Sequence, residues 1–168
     1  MYQEEFFDYK DQFIGELCSD PDIVALLLDQ ADPVVPNRSL PYTQVFPFEF
    51  IPDTETGAKT FICVDVDIVS VPNSTFYTLA IYVWVFAHKS QLRLSDGRGV
   101  RTDKLASAVD RIANGSRDYG LGKLKLMSSQ RFTPVTDYQG RVLTFVAQDF
   151  NRDGSKRPQL PSNRKKRG

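Results

Sequence analysis

Asp65 and Asp67, two residues apart, are the side chains of this sequence best suited to chemistry. A strand sets both on one face, where two hard oxygen ligands can hold a divalent cation. A hydrolytic metal centre adds further acids or histidines and a general base. The chain has a single histidine, His88, and no paired histidines at helical spacing, cysteine cluster or phosphate-binding glycine loop. The two aspartates therefore read as the polar face of a half-exposed strand, and no metal ligand set is expected. His88 would serve as a base only beside a nucleophile, Cys63 or a serine, and an orienting acid. Its surround, Ala87-His88-Lys89-Ser90, has no nucleophile elbow, so it reads as a strand-end histidine. Gly97, Gly99 and the glycines from Gly115 to Gly122 lack the strand, glycine loop and helix order of a nucleotide site, and read as hinges and caps. Neither catalysis nor a cofactor is expected.

Contact chemistry is better represented. In Phe61–Val69, Ile62, Val64, Val66 and Ile68 alternate with a set that includes Asp65 and Asp67, the pattern of a strand with one wet side. In Leu79–Ala87, Leu79, Ile81, Val83 and Val85 point one way and Ala80, Tyr82, Trp84 and Phe86 the other, so both faces are apolar. One helical layer covers one face only. The aromatic face Tyr82, Trp84, Phe86 needs a second layer from its own chain, the aromatics of the first helix, or another subunit. Arg98, Arg101 and Asp103 lie together at the start of a helix, where they suit inter-chain ion pairs or remain solvated charges.

The elements that position these residues follow from periodicity and punctuation. Gln3 to Leu17 places Phe6, Phe7, Phe13, Ile14 and Leu17 on one helical stripe. Ser19-Asp20-Pro21-Asp22 caps a second, short helix through Leu28. Four prolines between Asp32 and Pro47 predict an extended connector, then an edge strand at Phe46 and Phe48–Ile51. The turn cluster Asp53–Gly57 predicts a hairpin into the strand from Thr60, so these runs form a meander with the doubly apolar strand. Thr102 or Asp103 caps a third helix carrying Leu105, Ala108, Val109 and Ile112, ended by Asn114-Gly115. Leu124–Phe132 and Arg141–Phe150 are two further strands with a turn at Asp137–Gly140. The expected class is α+β: a mostly antiparallel sheet of four to five strands, with the N-terminal helices and one inserted helix on one face.

At 168 residues, 41% hydrophobic, the chain is long enough for one core. Residues 1–150 read as a single domain and 151–168 as a flexible basic tail. The 21 basic residues equal the 21 acidic ones, but unevenly. From residue 151, Arg152, Lys156, Arg157, Arg164, Lys165, Lys166 and Arg167 outweigh Asp153, a net +6, so the body carries −6. With little apolar surface to offset ordering entropy, the tail alone is expected to be disordered. Its readings are a solvated terminus, an arm docking on an acidic protein surface, or a DNA contact. Cys18 and Cys63 make no disulfide framework and read as small buried residues. No signal peptide or membrane span is expected, and synthesis in the cytoplasm follows.

The order of elements, with Asp20-Pro21-Asp22-Ile23, the strand ending His88-Lys89, Arg101-Thr-Asp103-x-Leu105-Ala106, and Arg131-Phe-Thr-Pro134 before Asp137-x-x-Gly140-Arg141, resembles tailed-bacteriophage neck and tail-completion proteins over residues 1–150. The resemblance implies a structural virion protein of the neck, a tail terminator forming a homohexameric ring. Such a ring caps the tail tube, joins it to the head-tail connector or adaptor, and passes DNA through its lumen without sequence-specific binding or a membrane. An acidic body fits such a lumen, since a strongly basic one would retain the polyanion. The alternatives are a head-closure or adaptor subunit of the same neck, and a small cytoplasmic metal-dependent enzyme or binding module using Asp65 and Asp67.

Overall fold

A computed structural model describes residues 4–29, 40–53 and 57–151; the tail from residue 152 and the connector at 30–39 lie outside the described residues. The N-terminal periodicity produces α1 (Glu4–Ser19), which buries Phe13, Ile14, Leu17 and Cys18 and half-buries Phe6 and Tyr9. Phe7, expected on that stripe, is 64% exposed. It stands one residue, about 100°, from Phe6, and the buried stripe runs through positions 6, 9, 13 and 17. Asp20 caps α2 (Pro21–Leu28), accepting from the N–H groups of Asp22 and Ile23 at 3.1 Å each. In α3 (Arg101–Ala113), Leu105, Ala108 and Val109 are buried as the spacing predicts. Its start differs from expectation: the N-cap is Val100, which makes no side-chain cap bond, and the Arg101 N–H donates to the Leu92 carbonyl at 2.8 Å.

The strands are β1 (Val45–Phe46), β2 (Thr60–Ser70), β3 (Phe76–His88), β4 (Leu121–Phe132) and β5 (Tyr138–Phe150), in the sheet order β1-β2-β3-β5-β4. The α+β class stands, and every pairing is antiparallel except that of β1 with β2. That exception corrects the expected hairpin: Val45 lies beside Ile62 and Phe46 beside Cys63 in parallel, so the meander comprises β2 and β3 alone. Pro47 has no N–H to continue the ladder, and the chain leaves it to cross the sheet, stacking Phe50 on Phe46 at 4.2 Å. The last turn also shifts. β5 begins at Tyr138, whose N–H donates to the Val135 carbonyl at 3.1 Å, so the reversal lies in residues 133–137.

All three helices pack on one face of the sheet, over Ile62, Val64 and Val66 of β2, Leu79 to Val85 of β3 at alternate positions, and Leu143, Phe145 and Ala147 of β5. Each of these side chains except Ala147 contributes about 1.5–3 kcal/mol on burial. Under α1, the buried Asp149 carboxylate accepts from Tyr9 Oη at 2.7 Å and Tyr77 Oη at 3.1 Å, fixing the end of β5 to the N-terminal half of the helix.

Candidate functional site

The opposite face of the sheet carries Asp65 and Asp67 from β2, Tyr82, Trp84 and Phe86 from β3, and the even-numbered residues of β5. One end of this face is covered by the chain itself. Phe46, Phe61, Cys63, Phe86 and Tyr138 form a second, smaller core, with Phe50, Trp84, Phe132 and Val135 packed against it. The covering layer comes from the segment after β1 and the turn before β5, neither of which has a periodicity that marks it as a cover. The first helix, an alternative partner for these aromatics, packs on the other side.

Trp84 stands at the edge of this cap, and beyond it the cover stops. Tyr82 and Trp84 are half-buried, stacked on each other with ring centroids 5.8 Å apart, and Val142 and Thr144 of β5 are half-exposed beside them. Farther along, Val69 is 48% and Phe150 40% exposed. The result is a sheet face closed at the Phe86 end and open at the Phe150 end.

The interface candidates therefore divide. Tyr82 lies on the open half of the face and Trp84 at its boundary with the cap. Phe86 is wholly buried inside the chain, which removes it from any contact surface. Arg101, expected at an inter-chain contact, is 2% exposed and spends its guanidinium within its own chain. Its Nε donates to the Gln91 carbonyl and an Nη to the Leu26 carbonyl, each at 2.7 Å, and it pairs with Asp29. Arg98 is exposed in the Gly97 and Gly99 loop, and Asp103 pairs with Arg141 at 2.7 Å on the helix-covered side. These three residues do not converge with Tyr82 and Trp84. The basic residues from Arg152 to Arg167 lie outside the described residues.

The candidates for chemistry are likewise separated. Asp65 pairs with Lys10 of α1 at 2.5 Å, and its carboxylate also accepts from the Val66 N–H at 2.9 Å. Asp67 is exposed and has no ion-pair partner among the described residues. No group of three or more His, Cys, Asp or Glu side chains is gathered among the described residues. His88 holds Ser90, its Nδ1 2.7 Å from the hydroxyl, at the 3₁₀ turn that ends β3.

Both cysteines are buried. Burial pushes the Cys63 thiol up to about 12, against a smaller lowering by the Phe50 N–H, and burial alone pushes Cys18 up to about 11. Both should react with iodoacetamide at pH 8 at least about 100-fold more slowly than a free thiol, and at the free rate in urea. A folded-state pKa above the unfolded value stabilises fully below the unfolded pKa. The contribution of Cys63 is therefore complete below pH 9.0 and is lost between pH 9.0 and about 12, so Cys63→Ser should flatten the alkaline fall of the unfolding midpoint. An unchanged slope above pH 9.0 would contradict this assignment.

Among the described residues, no helix is long and apolar enough to cross a membrane. The fold defines an α+β protein with one sheet face only half covered by its own chain. The YomW family profile matches residues 20–147, from the cap of α2 to the last third of β5, and the chain belongs to that family. The family name derives from a Bacillus phage, which associates the chain with bacteriophage. No curated protein matches it.

Proposed function

We propose that this is a structural component of a tailed-phage neck, a tail-completion protein that assembles as a ring, caps the tail tube and joins it to the head connector. The observation that carries the reading is the open half of the sheet face, where Tyr82 and Trp84 are only half-buried. Aromatic side chains of this kind are enriched at the buried centre of interfaces. Membership of a phage-associated family supports the setting. The ring is a homo-oligomer of repeating head-to-tail contacts, hexameric by the resemblance, with the tail tube on one side and the connector on the other. It carries no catalytic site in this reading, and its place is the virion.

The test is the solution mass by light scattering over a concentration range, alone, with purified tail tubes and with purified head connector, for the native chain and Trp84→Ala. A discrete ring, present alone or formed on the tubes and lost in the variant, is the expected result. A monomer at every concentration that binds neither tubes nor connector would end this reading. Binding to the connector side alone would reassign the protein to head closure.

A further inference from the structure

The sheet ends in two edges of opposite charge. β4, outermost on one side, carries Lys123, Lys125 and Arg131 and no acid. β2, near the other side, carries Asp65 and Asp67 and no base. β1 pairs with β2 only at Ile62 and Cys63, so from Val64 to Ser70 β2 is itself the edge of the sheet. The first helix adds to the acidic side. Its Tyr9 turns to Asp149 of β5, whereas Lys10 reaches Asp65 and the Pro47 carbonyl. The flank of α1 toward β2 is thus the one that exposes Phe7 and Asp11, and its one base, Lys10, is already bound to Asp65.

The unmatched charges lie level with each other. In register across the sheet, Asp67 stands beside Ala80, Ala80 beside Val146 and Val146 beside Lys125, so one row of the open face begins in an acid and ends in a base. Both end residues are exposed, and neither has an ion-pair partner among the described residues. Arg131 is exposed as well and stands in register with Arg141, a like charge that disfavours it until an acid approaches. The acids of the flanking turn and of α3 do not meet this need. Asp118 accepts from Ser116 Oγ at 3.0 Å, Asp103 pairs with Arg141, and Asp110 is half-buried.

Strand direction agrees with the charges. β2, β3, β5 and β4 are successively antiparallel, so β4 of one copy laid along β2 of another, open faces on the same side, continues the alternation. At the level of Lys125 the outer backbone of β4 is already met by the turn after α3. The Leu124 N–H donates to the Ser116 carbonyl at 2.7 Å, and its carbonyl accepts from the Gly115 N–H at 2.8 Å. Contact at this level is therefore made by side chains, which the flexible four-carbon stem of lysine allows. Exposed apolar side chains flank the charges, Met127 on β4 and Val69 on β2. Tyr82 is one strand in from Asp65, about 5 Å, so a copy seated on the β2 edge also adjoins the open face.

We propose that copies of this chain join edge to edge, the basic β4 edge of one against the acidic β2 edge of the next, with Lys125 meeting Asp67. The inference rests on the ring reading and names the surfaces that meet. Two different edges make a head-to-tail contact, the type that closes into rings, and the charge difference fixes its direction.

The test is charge exchange in the full chain, read as solution mass over a concentration range with and without tail tubes. Lys125→Glu and Asp67→Lys should each raise the concentration of half-assembly about tenfold or more, since each sets like charges together. The double variant should return it to within about threefold of the native value, and an equal mixture of the two single variants should co-assemble where each alone does not. Far-ultraviolet dichroism and the urea midpoint should be unchanged throughout, because both positions are exposed. In the native protein, carbodiimide should join Lys125 to Asp67 between chains. Single variants that assemble as well as the native chain would overturn the edge contact and leave the ring reading standing. Assembly lost in the single variants and regained in neither the double variant nor the mixture would overturn it too. An open filament that obeys the exchange keeps the edge contact and ends the ring reading, and a native chain that is monomeric under every condition ends both.

Discussion

Gly140→Ala should leave little or no folded protein, with a loss of about 4 kcal/mol or more against a total stability on the order of 5–15 kcal/mol. Gly140 in β5 is flanked by Phe86 of β3 and Phe132 of β4 in register. The two phenylalanine rings meet edge-on, centroids 5.7 Å apart, across the position where a side chain would be. A Cβ there would stand 1.8 Å from the Val85 carbonyl oxygen and 2.6 Å from Phe86 Cα. Both obstacles are backbone, so no rotamer change relieves them, and the strands would have to separate under the second core. Soluble yield and the urea midpoint check this. Gly15→Ala is the control: it lies within α1 with nothing within 4 Å of its would-be Cβ, and should gain up to about 1 kcal/mol from helix propensity. A Gly140→Ala chain as stable as the native one would mean that β3 and β5 do not approach this closely.

Arg101→Met should cost about 2–5 kcal/mol, with Arg101→Lys recovering only a part. The reason lies at the end of another helix. The last carbonyls of α2 have no partner within that helix, and it has no basic residue in its last turn. The guanidinium of Arg101 supplies both a donor, to the Leu26 carbonyl, and positive charge at the negative end of the helix dipole. The same group holds the Gln91 carbonyl, so one side chain joins α2, the 3₁₀ turn after β3 and the start of α3. Removing it strands two buried or half-buried acceptors, and an ammonium cannot reach acceptors lying in separate directions. The pairing with Asp29 adds little, because that carboxylate is 58% exposed. Asp29→Asn should therefore cost less than about 1 kcal/mol in the same urea experiment. A cost for Asp29→Asn equal to that of Arg101→Met would shift the explanation from helix capping to the ion pair.

The candidate site was partly legible in the sequence. Alternation alone showed that β3 is apolar on both sides, and this located Tyr82 and Trp84 on a face that one helical layer leaves bare. It also showed that Asp65 and Asp67 share one face of their strand, which pairing with β3 makes the same face. The division of that face into a covered and an open half was not legible. That outcome depends on Phe46, Phe50 and Tyr138, which reach the face from a two-residue strand, a connector and a strand end. Such segments are too short to carry a period.

What this sequence determined by itself is therefore local: the helices with their capping at Asp20 and their end at Asn114, the strands with their two faces, and the α+β class that follows from them. These features arise from repeats of 2.0 and 3.6 residues and from the dihedral limits of proline, glycine and capping side chains, all readable within a dozen residues. Tertiary structure alone decided the parallel pairing of β1, the burial of Arg101, the glycine requirement at position 140 and the half-cover of the aromatic face. Each joins groups far apart in the chain, such as Leu26 and Arg101, 75 residues apart. No local period encodes such a meeting, because it depends on the direction in which each element leaves its turn and on what already occupies the space it enters.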